Sequence, residues 1–499
     1  MKKPIGRQLS RRSFLKLGTQ GVLFAAIGGG GLLYGLGRSH PSQADAILKD
    51  VSPQPVLLPP RRPSAATVNK RLAATDGFFS LPGRRIFADP ATVTDPFAPD
   101  SAAGDPDDGV YGFGFVDVPL SVSPSPTEDI GAAILAFKGR VRWPSPILAV
   151  NELDDFNITM TNLGFIMRPD LDDAHTIHWH GFRNPNAIFD GVPEVSISVP
   201  PARSFTYFYR PRTSGTFMYH CHFEDTEHVQ LGMDGVVYVI PDHAIPAGFS
   251  GVAYKNDATA FHREYTLLLN EVDTSPHDRL VNIQEFVWSD YDANYWVING
   301  RSYPDTLVSE ADTVGTELAE RQPVSSLIQA LGGDSILLRF VNLGFEQQAM
   351  QLLGIRMTVV GQDATPLVPA PDKLDPLSDL SYTTNTIYIG PGESRDVLFT
   401  APAFTTDLPA YTDLDGRTFN IYWLKNHNFH RLVNGAGDRF EDPRLNGDFD
   451  DSDVVPPADI YGNPASLGGQ VTQVRVYSDL GDLGPQTRAN ETFGTARLA

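Results

Sequence analysis

His175-Thr176-Ile177-His178-Trp179-His180-Gly181 and, further on, Tyr219-His220-Cys221-His222-Phe223-Glu224-Asp225-Thr226-Glu227-His228, closing at Gly232-Met233, decide how this chain is read. Six of its twelve histidines and its single cysteine lie between residues 175 and 228. Successive side chains on a strand point to opposite faces. His178 and His180 therefore share a face, His220 and His222 share a face, and Cys221 points the other way. A cysteine between two histidines joins two metal sites on opposite sides of one strand. On its own side, a loop returns His228 and Met233, and His175 supplies the second imidazole.

Two imidazoles, one thiolate and a distant thioether suit a blue (type 1) copper site, with Met233 as the weak axial ligand that tunes its potential. Zinc competes on ligand type alone, but structural zinc sites rarely include methionine.

Around these motifs the chain reads as β-structure. Short alternating runs recur from Val110 to Pro241, including Ile147–Val150, Asn157–Met160, Val195–Val199 and Val236–Ile240, separated by Pro, Gly and Asp. This is the pattern of a β-sandwich. A second β-rich region runs through Thr266–Leu269, Ser335–Val341, Met357–Val360, Asp396–Phe399 and Val471–Val476. The 40 prolines and 44 glycines fit many turns rather than a helical bundle. The acidic stretch Asp438–Asp459 lacks the Gly and terminal Glu of a calcium hand and reads as a solvated loop.

H-x-x-H-x-H-G followed by H-C-H, a spaced His and G-M resembles the multicopper oxidase family, the laccase-like proteins built from cupredoxin domains. The resemblance extends over Ile188–Pro193, Pro200–Tyr207, Asn294–Arg301, Leu338–Asn342 and Gly390–Val397. It implies an all-β fold of two cupredoxin-like Greek-key β-sandwich domains, a copper-binding one over 109–245 and a second over 260–480. It implies that His175, Cys221, His228 and Met233 hold type 1 copper. His178, His180, His220 and His222 would belong to a type 2/type 3 copper cluster that reduces O2. Asp190 and Glu224 are candidate proton donors near that cluster. Five residues separate His222 from His228, where laccases usually have three; the loop is longer but no ligand is lost.

The second domain departs from the family pattern. It offers Glu346-Gln347-Gln348-Ala349-Met350-Gln351 and Tyr422-Trp423-Leu424-Lys425-Asn426-His427 where a ligand-bearing domain would offer histidines. His427 and His430 read as loop or packing residues. A full trinuclear cluster takes eight histidines in this family, and the first domain supplies four. The remainder would come from another subunit of a homo-oligomer, or the far-side copper site is smaller.

The partners implied are a small reducing substrate, phenolic or a metal ion, and O2. Two alternatives stand beside the oxidase: a type 1 copper electron-transfer or copper-binding protein, and a nitrite-reductase-like enzyme. The nitrite reductases carry Asp in H-x-x-D-x-H, where this chain has His178.

A net charge of −21 disfavours nucleic acid and anionic lipid as partners. The first 44 residues carry seven Lys and Arg and no acid. Ser10-Arg11-Arg12-Ser13-Phe14-Leu15-Lys16, a Gly-rich apolar stretch and Ser42-Gln43-Ala44 read as a twin-arginine signal peptide over 1–44. Export to the periplasm or cell exterior follows, with 45–108 as an irregular N-terminal segment. A lone thiol in an oxidising compartment is a liability unless a metal occupies it.

Overall fold

The computed structural model describes residues 66–82, 109–126, 131–314, 316–369, 378–435 and 468–499, all within one unit that runs from Arg61 to Ala499. The signal sequence and the acidic stretch 438–459 lie outside the described residues.

The first domain is a sandwich of two four-stranded sheets. One holds β1 (Thr67–Phe79), β2 (Val110–Asp117), β4 (Asp155–Asn162) and β6 (Arg203–Tyr209) in the order β2-β1-β4-β6. The other holds β3 (Ser145–Asn151), β5 (His178–His180), β7 (Gly215–His220) and β8 (Asp234–Ile240) in the order β3-β8-β7-β5. Alternation places Phe156, Ile158 and Met160 of β4 inward, against Trp179, Tyr219 and Cys221 from the facing sheet. Burying each such side chain contributes about 1.5–3 kcal/mol.

Two expectations need correction here. The segment 45–108 is not irregular throughout: β1 is an inner strand, parallel to β4 and antiparallel to β2, so the first domain begins near residue 67 rather than 109. Its Asp76 sits among Ala73, Ala74 and Phe78, which hides the alternation in the sequence. Val195–Val199 is not a strand. The Ser196 hydroxyl donates to the Ile188 carbonyl and accepts from the Gly191 N–H, folding the run into a turn with Val195 and Ile197 exposed, and Val199 alone bridges to His175.

The second domain follows two short strands, β9 (Gly251–Val252) and β10 (Ala260–Phe261). One of its sheets contains β11 (Arg263–Val272), β12 (Tyr295–Ile298), β14 (Ser335–Asn342), β16 (Met357–Gln362), β17 (Thr365–Pro366), β18 (Tyr382–Thr384) and β20 (Ser394–Thr400). The other contains β13 (Ile328–Leu331), β15 (Gln348–Leu352), β19 (Thr386–Ile389), β21 (Ala410–Thr412), β22 (Thr418–Asn426) and β23 (Val471–Tyr477). A continuous apolar core from Tyr265 to Val476 lies between them. The chain after residue 480 still belongs to this domain: Asn490 bonds Thr266 and Ser325, and Ala496 is buried.

The two domains meet on the outer face of β7 and β8. Met218 and Val236 pack with Leu268, Val341 and Leu343. Beside them Arg339, 2% exposed, bonds Thr216 of β7, Glu264 and Asp396 and lies over the Tyr238 ring.

Candidate metal centre

Strand register sets the site. His178 of β5 pairs with His220 of β7, Trp179 with Tyr219, and His180 with Met218. Residues opposite one another in an antiparallel pair share a face. His178, His180 and His220 therefore face outward, and Trp179, Tyr219 and Cys221 face the core. The strand alternation read from the sequence is the arrangement found.

On the core side, Cys221 Sγ lies 3.3 Å from His228 Nδ1 and 3.9 Å from His175 Nδ1, and all three residues are fully buried. The Thr176 N–H donates to Sγ at 3.4 Å. Met233 is buried in the same cluster, held by Cys221 N–H on its carbonyl at 3.1 Å and by its own N–H on the His228 carbonyl at 2.9 Å. Phe113 stands edge-on to His228 with Phe165 stacked on it, so the donors sit in a dry aromatic wall. Burial first, then His228, keeps His175 well below the ordinary imidazole range and hence a neutral donor.

The longer spacing between His222 and His228 is a short helix, α1 (Asp225–Gln230), which carries His228 inward in its last turn. Thr176 ties the two sides together: its hydroxyl accepts the His222 N–H at 2.9 Å while its own N–H meets the sulfur.

On the outer side, the donor nitrogens of His178, His180 and His220 lie within 4.8 Å of one another. His178 Nδ1–H donates to the Asp190 carbonyl at 2.7 Å, and His220 Nδ1 faces the Cys221 carbonyl at 2.8 Å. These bonds fix the tautomer and leave each Nε2 as a metal donor. His222 joins the group by ring packing, 5.1 Å from His178 and 5.7 Å from His220.

Burial, opposed by the hydrogen bond to the Cys221 carbonyl and aided by the neighbouring imidazoles, pushes His220 down to about 3. Unfolded, it would protonate near 6.5. Between those values the unfolded chain binds the extra proton, so stability falls as pH drops through the window. For metal-free protein, His220→Gln is expected to make the fall between pH 6.5 and 3 shallower. The change should reach about 1.4 kcal/mol per pH unit, read from urea unfolding at several pH values. Identical slopes in both proteins would show that folded His220 titrates normally.

Asp190 lies where the sequence reading put it, its carboxylate 3.8 Å from His178 Nδ1. Glu224 does not: it groups with Asp173, Glu227 and His228 on the Cys221 side, because its left-handed backbone (φ 49°) turns the chain into α1. Asp173 was missed by sequence reasoning, although Asp172-Asp173 immediately precedes the first histidine motif.

A second unforeseen neighbour is Gly392, from the β19–β20 turn of the second domain. A Cβ there would come within 3.2 Å of His180 Nε2, so glycine lets this turn close against the imidazole (φ +75°). His427 contacts Gln351 and His430 is exposed; among the described residues neither joins a metal-binding group.

The two-sheet sandwich is a cupredoxin-like fold, and its buried sulfur and convergent imidazoles form groups that could hold a metal ion. The donors fit copper: a soft sulfur and two imidazoles in a dry cradle, with a thioether pinned beside them. The model of the multicopper oxidase family matches residues 128–244 of this chain. Copper is the cofactor of that family.

The chain is 29% identical over 263 residues to laccase-5 of Arabidopsis thaliana, covering 52% of this chain and 38% of that protein. It is 25% identical over 368 residues to a copper resistance protein A homolog of Pseudomonas syringae pv. tomato, covering 68% and 56%. The matches thus span between about two fifths and just over half of the curated relatives' length. In fold the chain resembles the blue copper oxidase of Nitrosomonas europaea, with TM-score 0.50 and 20% identity over 81% of this chain and 85% of that one.

Proposed function

We propose that the protein is an exported copper-dependent oxidase that takes electrons one at a time from a small reducing substrate and passes them to O2. The observation that carries this reading is Cys221 itself. Its sulfur faces His175 and His228, while its chain neighbours His220 and His222 belong to the opposite histidine group. One peptide bond on either side of Cys221 thus links the two sites covalently.

In this reading His175, Cys221, His228 and Met233 hold type 1 copper, and His178, His180, His220 and His222 hold the copper at which O2 is reduced. Copper bound there supplies the one-electron redox chemistry. The chain's residues do the rest. The aromatic wall around His228 excludes water, and the Asp190 carbonyl orients His178. The Asp190 carboxylate, partly exposed and bonded by the Asn184 amide, is the group placed to deliver protons beside it. Glu224 is not assigned that role, since it lies on the other side.

Export through the twin-arginine pathway is supported by the sequence of residues 1–44. Among the described residues no helix is long and apolar enough to cross a membrane. A phenolic compound or a metal ion is the substrate class this reading carries.

The second domain favours a second reading, electron transfer without oxidase activity. Met350 and Asn426 pair across β15 and β22 as His178 and His220 do in the first domain. Gln348, Asn426 and Gln470 bond one another instead of a metal. Among the described residues, His178, His180, His220 and His222 are then the imidazoles offered to the outer site, unless a second copy completes the cluster. O2 consumption by copper-loaded protein with phenolic and metal-ion reductants tests the oxidase. Uptake with at least one reductant, and copper beyond one per chain, is expected. No uptake with any of them, with about one copper per chain, would establish the carrier instead.

A further inference from the structure

Among the described residues the second domain adds no donor to the outer histidine group, yet three of its segments close on the strands that carry it. β20 lies beside β7, where the Ser394 hydroxyl donates to the Thr216 carbonyl at 2.8 Å. The Asp363–Ala364 turn between β16 and β17 reaches into the first domain's core. Ala364 packs so closely on Gly215 that a Cβ on that glycine would lie 2.7 Å from the Ala364 Cα. The Gly390–Glu393 turn between β19 and β20 ends against His180 itself.

This last contact meets a particular part of the ring. His180 turns Nδ1 to His220 Nε2 at 3.3 Å. Its Nε2 and Cε1 look into the turn, 3.2 and 3.3 Å from where a Cβ on Gly392 would stand. A methyl there would force one side to give by a few tenths of an ångström. The turn is the firmer side. The Gly392 N–H donates to the Asn342 carbonyl at 2.9 Å, and the Asn342 N–H donates to the Glu393 carbonyl at 3.1 Å. Glu393 Oε2 accepts from the Gly390 N–H at 2.7 Å and from Arg395 at 2.8 Å. Asp363 Oδ1 accepts from the Ser394 N–H at 2.8 Å. His180, by contrast, ends a three-residue strand at the edge of its sheet.

We propose that the Gly390–Glu393 turn positions His180 for the outer site, with Gly392 as the stop against which the imidazole rests. A domain without metal donors thereby governs the geometry of the metal site in its neighbour. Such outer contacts orient a ligand before the metal arrives, so less freedom is lost on binding. The contact with His180 stands on its own; its effect on copper rests on the reading of the outer histidines as a copper site.

The test pairs Gly392→Ala with Gly333→Ala. Both glycines have left-handed backbone, φ +75° and +93°, but a Cβ on Gly333 meets nothing within 4 Å. That variant therefore carries the backbone strain without the contact. Each is made in the full-length chain carrying Cys221→Ser, which leaves copper to the outer histidines, and is given one equivalent of copper(II). Gly392→Ala should change the hyperfine splittings seen by electron paramagnetic resonance and weaken copper binding about tenfold, the usual cost of losing a contact behind a ligand. Gly333→Ala should leave both unchanged. In metal-free protein labelled with nitrogen-15 histidine, Gly392→Ala should move the His180 ring resonances, assigned with His180→Gln, and Gly333→Ala should not. Glu393→Ala, which unpins the turn without adding a methyl, should move the same resonances.

Unchanged His180 resonances in Gly392→Ala and Glu393→Ala, or equal changes in both glycine variants, overturn the positioning role. So does copper held by Gly392→Ala with the parent's splittings and affinity. Resonances that move in a chain whose parent binds no copper keep the contact and instead refute the outer copper reading.

Discussion

Cys221→Ser abolishes the absorption band of the copper-loaded protein at about 600 nm, the thiolate-to-copper region of a blue site, and reduces O2 uptake to background. The loss is complete because no second thiol exists in the chain. Serine keeps the volume and the scaffold: the residue's N–H still donates to the Met233 carbonyl, and the new hydroxyl meets the Thr176 N–H and the Phe223 carbonyl where the sulfur did. Metal-free stability should therefore change by no more than about 1 kcal/mol. Spectroscopic loss in a folded protein thus isolates the ligand role from a structural one. The outer histidines remain on their strands, so copper bound by His178, His180 and His220 should persist in the variant and be visible by electron paramagnetic resonance. A variant that stays blue would refute the assignment of Cys221.

Arg339→Leu should have the largest effect on stability. The guanidinium is buried where the domains meet, 3.0 Å from Glu264 Oε2, 2.9 Å from Thr216 Oγ1 and 3.4 Å from Asp396 Oδ1. Asp396 is 1% exposed, and without the arginine its charge keeps only the hydroxyls of Thr216 and Tyr254. Breaking a buried pair from one side costs about 3–5 kcal/mol, because the partner charge is stranded. In a protein of this size the melting temperature should drop by roughly 10 °C. Thr216 shares the outward face of β7 with His220, so loosening this contact should weaken copper retention on the histidine side before the blue band is lost. A melting temperature within about 2 °C of the wild type would show that the cluster adds nothing net.

Much of the site was legible because strand periodicity is a local property. With a period of two, His-Cys-His can only divide its side chains between two faces, and the register of His178 against His220 realises that division. β4 and β8 were legible for the same reason. β1 was hidden: with Asp76, Thr75 and Gly77 inside a buried stretch, its sequence lacks the alternation of a half-exposed strand, and its place is set by pairing with both β2 and β4. Val195–Val199 misled in the opposite sense, an alternating run whose Ser196 makes turn bonds that outweigh the strand preference.

The sequence by itself determined the chemistry of the donors: one thiolate, six clustered imidazoles, a thioether, and a second domain with glutamine and asparagine in place of ligands. Only the tertiary structure decided what surrounds them, because such contacts join residues far apart in the chain. It set Gly392 of the second domain against His180, packed the second domain on the outer face of β7, and moved Glu224 away from the outer histidines to join Asp173 and Glu227 behind His228. Cys221 is specified as a bridge by its two neighbours in sequence. What lies at each end of the bridge is specified by folding.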